Sequence, residues 1–304
     1  MITQDKITDI FCMVDEFSKK FDMEIAKGEL ISSNGIRRRH RNASLSDGEI
    51  MTILIVFHFG TFANFKHYYL HYIRVHLHQD FPDAVSYNRF VELESRVFFK
   101  LMFFLKLYAF GRCSGISFVD STMIPVCHNL RRYANKVFKG MATDGKGTMG
   151  WCHGFKLHFT CNDRGKSSPS VLPEPMWMTG IPKSGTYLPK SCTAGFLLTG
   201  GTSLQDFLRT FFKDGIHLVT GIKVNMKNRL MPFWDKIMLR KRFVIECIND
   251  MLKNTAKLVH SRHRSINNFL MNLVAALAAY CFYDNKPEAL QGYTIEHTKQ
   301  LVLF

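Results

Sequence analysis

The sequence predicts a mixed α/β fold in which an all-helical region of roughly 110 residues leads into a core of strands and helices. Three observations carry this. Apolar residues recur at helical spacing from the N-terminus to Phe110. At Ile116 the pattern changes to short apolar runs and alternation, typical of strands. Two further helical patterns follow, at about 237–256 and 265–283. The expected divisions are 1–112 for the helical region, 113–284 for the core and 285–304 for a tail.

Within the helical region, residues 1–30 form a mixed-charge amphipathic pattern, followed by the basic run Arg37, Arg38, Arg39, His40, Arg41. Ser46 and Glu49 have capping-box spacing ahead of the apolar run Ile50 to Phe59, which Gly60 ends. An aromatic and His-rich helix with Tyr68, Tyr69, Tyr72 and His76 stops before Pro82, and Tyr87 to Phe110 continues the helical pattern with many Phe. Beyond it, Ile116–Val119 is a short apolar run ending in Asp120. Phe155–Cys161 alternates into the turn Asn162–Gly165, and His217–Ile222 is a third strand candidate.

A formal charge of +15 on 304 residues points to a polyanionic partner, either nucleic acid or an anionic surface. From Gly215 to Arg264 there are eleven Lys and Arg against Asp235, Glu246 and Asp250, a net of +8, so over half of the excess charge lies in about a sixth of the chain. Phe269 to Tyr283 is too short to span a bilayer, which needs ~20 apolar residues. The eight cysteines show no CxxC pair and no zinc-ribbon spacing, as expected of reduced thiols in a cytoplasmic protein. No signal-peptide pattern opens the chain. His67, His71, His76 and His78 lie among aromatics without ligand spacing, so a zinc site is not expected there.

Two acids are placed for metal chemistry. Asp120 ends a strand, where rigid backbone aims a carboxylate, and hard divalent cations prefer oxygen ligands. Glu246 lies four residues after Arg242 and seven before Lys253, so in a straight helix all three share a face.

The pattern Arg242-x3-Glu246-x6-Lys253 resembles the signature of the helix that carries the last glutamate in insertion-sequence DDE transposases of bacteria. Phe118-Val119-Asp120-Ser121-Thr122 resembles that family's first-acid strand, and Gly150–His158 its second strand. The segment His260–Ser265 and the closing helix resemble its C-terminal layout, while Leu239 stands where the family often has Tyr. The resemblance implies an RNase H-like core with Asp120 and Glu246 as catalytic metal ligands for two Mg²⁺ (or Mn²⁺) ions. It implies cleavage and strand transfer at terminal inverted repeats, with Arg242 and Lys253 on DNA phosphates. Lys241, Arg262 and Arg264, in the same basic stretch, are further phosphate contacts on this reading. The implied partners are double-stranded DNA, both terminal repeat and target, and a second copy of the chain in a synaptic complex. The implied setting is the cytoplasm, at the nucleoid, with no membrane.

The middle aspartate of such a core is missing from its expected place. Residues 167–205 hold five of the nine prolines (Pro169, Pro173, Pro175, Pro182, Pro189) and few acids, a poor sequence for central strands. Met176-Trp177-Met178-Thr179 must be encoded ATG TGG ATG ACN, and read from the last base of the first codon this gives Val-Asp-Asp. Phe196 to Thr202, re-read the same way with permitted codons, gives Phe-Ala-Asp-Arg-Gly-Tyr, like the family's middle-acid motif. Two compensating frameshifts around residues 167–205 would account for both, and would leave a transposase impaired in cleavage. A genuine inserted segment is the other explanation. Two further functions stay open: a non-catalytic sequence-specific DNA-binding protein, and an RNase H-like metal-dependent nuclease.

Overall fold

Helix α1 (Gln4–Glu29) forms because Ile7, Ile10, Val14 and Phe17 recur on one helical stripe, and all four are buried. Each such side chain contributes roughly 1.5–3 kcal/mol on burial. The computed structural model describes residues 2–29, 44–109, 116–147, 150–166, 195–198, 218–220, 230–259 and 263–289. The basic run Arg37–Arg41 therefore lies outside the described residues.

The chain folds as two units, and each draws on several stretches of sequence. The first holds Met1–Ala109, Met123–Phe155 and Asp250–Asp284. Helix α2 (Asp47–Phe57) starts at Ser46, whose hydroxyl accepts from Glu49 N while the Glu49 carboxylate accepts from Ser46 N, so the capping box is complete. Helix α3 (Phe65–His67) runs into a wider i→i+5 segment, Tyr68–His76. The buried Tyr68 and Tyr69 direct their hydroxyls to the carbonyls of Ile53 and Val85, at 3.0 and 2.8 Å. Helices α4 (Tyr87–Glu94) and α5 (Phe98–Phe104) follow.

Lys100 on α5 is buried and donates to Asp47, Asp22 and Ser18, while Arg96 also pairs with Asp47. Lys100→Met is expected to lower stability by about 2 kcal/mol, because Asp47 keeps only its half-exposed Arg96 partner. A chemical-denaturation midpoint shifted without change of slope measures this.

Strands β1 (Ile116–Cys127), β2 (Thr143–Gly147), β3 (Gly150–Asn162), β4 (Gly195–Leu198) and β5 (Leu218–Thr220) form one mixed sheet in the order β2-β3-β1-β4-β5. Strands β2 and β3 are an antiparallel hairpin, whereas β4 runs parallel to both β1 and β5. At Gly154 the backbone of β3 comes so close to β1 that a Cβ would stand 2.0 Å from the Ile124 carbonyl oxygen, so only glycine fits. Strand β1 is longer than expected: it continues through Pro125, and Asp120 lies inside it rather than at its end. Strand β4 also corrects the expectation that 167–205 would supply no central strand. Its four residues are free of proline, and Phe196, Leu197 and Leu198 provide an apolar run.

The second unit, Phe110–Thr122, Lys156–Asn249 and Asn285–Phe304, contains β4 and β5, helix α6 (Phe233–Lys241) and most of α7 (Phe243–Asp250). The β3 chain leaves through an Asx turn in which Asn162 Oδ1 accepts from Arg164 N and Lys166 N, and Gly165 takes φ +64°. Helix α8 (Ile266–Cys281), in the first unit, is capped by Ser265 and buried along most of its length, with Phe269 against Phe138 and Phe155. Among the described residues no helix is long and apolar enough to cross a membrane.

Candidate active site

Asp120 projects from β1 with its side chain 15% exposed, and its two oxygens are held separately. Arg242 Nη2 donates to Oδ1 at 3.0 Å, and Asn249 Nδ2 donates to Oδ2 at 2.9 Å. Arg242 stands at the joint between α6 and α7, where its own N–H bonds the Leu239 carbonyl and its carbonyl accepts from Ile245 N. From that joint its guanidinium reaches back to Asp120 and forward to Glu246, with Nη1 3.4 Å from Oε1. Glu246 lies in the first turn of α7, where the helix dipole favours an acid, and remains exposed.

Asp120 and Glu246 are 126 positions apart in sequence (246 − 120) and are joined through one cation. Asn249 is a site residue that the sequence reading misses. It follows Arg242 by seven positions and Glu246 by three, so the same helical stripe contains it. Only its spacing points to it, since a lone amide carries little chemical signal.

The remaining expected residues are placed differently. Lys253 falls in Met251–Thr255, which winds i→i+5, so it leaves the straight-helix stripe that its spacing implies. It belongs to the first unit, where its charge acts on the Cys152 thiol. Burial pushes that thiol up, Lys253 draws it down and Asp144 raises it. Lys241 ends α6 and is partly exposed, Arg264 is exposed just before α8, and Arg262 lies outside the described residues.

Asp163 follows the last residue of β3 and is buried, so a second acid stands at a strand end in this unit. Its carbonyl accepts from Ala289 N at 2.7 Å. Asp206 and Asp214 lie outside the described residues. Burial pushes the Cys161 thiol up, and Asp163 and Asp120 push it further, so Cys161 stays a neutral thiol.

The donor chemistry at this place is oxygen: two carboxylates, and the amide oxygen of Asn249, which is buried with no hydrogen-bond partner among the described residues. Such a set suits one hard divalent cation. Among the described residues no group of three His, Cys, Asp or Glu is gathered, so a pair of cations finds no complete set there.

Strand β4 pairs Gly195, Phe196 and Leu197 with Ile116, Ser117 and Phe118 of β1, two residues short of Asp120. No carboxylate occurs from Gly195 to Thr202. In comparison with known proteins, a family described as transposase DDE domain matches residues 110–266, just over half of the chain. No curated protein and no solved structure matches it.

Proposed function

The chain belongs to the transposase DDE-domain family, and from that premise we propose that it is an insertion-sequence transposase of bacterial type whose core is RNase H-like and whose cleavage step is impaired. The observation that carries this is the gathering of Asp120, Arg242 and Glu246 from a strand and a helix far apart in sequence. On this reading residues 1–112 are the DNA-binding region, 113–284 the catalytic core and 285–304 a tail.

Asp120 and Glu246 would hold Mg²⁺ or Mn²⁺, with Asn249 Oδ1 as a further oxygen close by. A bound divalent cation supplies Lewis-acid activation of the attacking water or 3′-hydroxyl and stabilises the leaving oxygen. The chain itself positions the acid: β1 fixes the backbone of Asp120, while Arg242 and Asn249 fix the carboxylate plane. Arg242 also offsets the repulsion between the two carboxylates that it bridges. Lys241, Arg262, Arg264 and Lys253 would take DNA phosphates.

The first unit offers support for a nucleic-acid partner. Tyr133 and Trp151 are 87% and 63% exposed, Arg132 stacks on the Tyr133 ring at 4.5 Å, and Lys146 is the cross-strand partner of Trp151.

The partner would be double-stranded DNA bearing the terminal inverted repeat, held by two copies of the chain in a synaptic complex. Fluorescence anisotropy on such a duplex tests this. Affinity is expected to fall steeply with salt, and Lys241→Ala to reduce the log–log salt slope by about one. A chain that binds no duplex even at low salt would remove the proposal. The lack of any carboxylate from Gly195 to Thr202 favours a second reading, a protein that binds DNA without cutting it. Glu246→Gln, which leaves binding intact on both readings, separates them by abolishing any residual cleavage only on the first.

A further inference from the structure

Asn249 occupies a position on α7 where an apolar side chain would be the ordinary choice. Its helix neighbours Ile245, Ile248 and Leu252 are all buried, and Asn249 itself is 7% exposed. One end of its amide is used, since Nδ2 donates to Asp120 Oδ2 at 2.9 Å. The other end, Oδ1, is buried without a hydrogen-bond partner among the described residues. Leaving such an oxygen unpaired costs on the order of 1–3 kcal/mol, a cost that a leucine here would avoid.

The two ends of a primary amide lie about 2.3 Å apart, so Oδ1 stands no more than about 5 Å from Asp120 Oδ2. Oxygens that share one Mg²⁺ or Mn²⁺ at about 2.1 Å lie at most about 4 Å apart, so a small side-chain adjustment brings both onto one cation.

We propose that Asn249 completes the oxygen set at Asp120 and Glu246: Nδ2 holds the Asp120 carboxylate in place, and Oδ1 is the third protein oxygen offered to a divalent cation. The inference rests on the reading of Asp120 as a cation ligand. It explains why a hydrogen-bonding amide is kept in an apolar stretch of helix, and why its oxygen is unsatisfied in the bare chain. Asn249 is thus a positioning residue for Asp120 that also supplies a neutral ligand, where carboxylates alone leave the set incomplete.

The test uses Mn²⁺ itself as the probe, with binding to the full chain followed by electron paramagnetic resonance and folding followed by circular dichroism. Asn249→Leu is expected to weaken Mn²⁺ binding about tenfold or more, with metal-free stability kept or raised because the orphaned oxygen is gone. Asn249→Asp, nearly isosteric, is expected to tighten Mn²⁺ binding while lowering metal-free stability, since it sets a carboxylate against Asp120. Mn²⁺ affinity equal to wild type in both variants would overturn the inference and leave Asn249 a purely structural residue. Should the leucine variant fail to fold, the aspartate variant decides alone. Asp120→Asn separates the two levels: if it leaves Mn²⁺ binding unchanged, the reading of Asp120 as a ligand fails. If it abolishes binding while both Asn249 variants bind as wild type, only the role of Asn249 fails.

Discussion

Thr199→Asp is expected to switch on Mn²⁺-dependent cleavage of a terminal-repeat duplex, on the proposal that the chain is a transposase that lacks its middle acid. Two-metal phosphoryl transfer needs carboxylates on both sides of the reacting phosphate, and the described residues gather only Asp120 and Glu246 for that purpose. Strand β4 lies parallel to β1, with Phe118 paired to Leu197. The re-read codons place the aspartate of Phe-Ala-Asp across codons 198 and 199, which makes Thr199, outside the described residues, the position at which to restore it.

A lost metal ligand of this kind accounts for roughly 3–4 kcal/mol of transition-state stabilisation, so a rise in cleavage rate of about a hundredfold or more is expected. The measurement is single-turnover cleavage of a labelled terminal-repeat duplex. Equal, background-level rates for Thr199→Asp and for the double variant with Asp120→Asn would show that the missing carboxylate is not what limits this chain.

Acidification from pH 6.5 to 4 is expected to destabilise the first unit. His58 is fully buried between α2 and the segment after α7, with Nδ1 2.8 Å from the Ala256 carbonyl oxygen and its own carbonyl accepting from the Tyr283 hydroxyl. Burial lowers its pKa from 6.5 to about 4, and His263, more exposed, is lowered to about 4 as well. Each group must stay neutral in the folded chain, so the folded state binds fewer protons than the unfolded state across that window. Stability from these groups is therefore complete above pH 6.5 and is lost as pH falls towards 4.

Glu94 acts in the opposite sense. Burial raises its pKa from 4.5 to about 7, so it favours the folded state below pH 4.5 and loses that contribution as pH rises through 7. A shift of this size corresponds to roughly 3 kcal/mol per group as an upper bound, so two histidines against one glutamate leave a net acid destabilisation of about that size. Thermal melts across pH 7 to 4 measure it. Glu94→Gln removes the opposing contribution and should make the fall steeper, and a wild-type melting temperature that is flat or rising towards pH 4.5 would contradict the balance.

Features legible in the sequence are those that need only near neighbours. The helix starts at Ser46 and Ser265, the buried stripe of α1 and the Arg242–Glu246 pair depend on residues within a turn or two of each other. Spacing along the chain is enough to find them. Strand β2 is invisible in the sequence because Thr143–Gly147 has no alternating apolar pattern. It is held instead across the hairpin, where Asp144 pairs with His153 at 2.8 Å and with Arg132 at 3.2 Å. Asp120 reads as a strand end because the apolar run stops there, yet β1 continues through it and beyond Pro125. Lys253 reads as part of the Arg242–Glu246 face because a period of 3.6 extends through it, whereas its segment winds more widely.

The sequence by itself determined the family, the two acids and the basic character, since these rest on residue types, local spacing and a sum of charges. Only the tertiary structure decided that Arg242 bridges those acids and that Asn249 binds Asp120. It alone decided that β4 pairs in parallel with the start of β1. Each of these is a meeting of residues dozens to over a hundred positions apart, and such meetings are set by sheet register and helix docking rather than by any pattern along the chain.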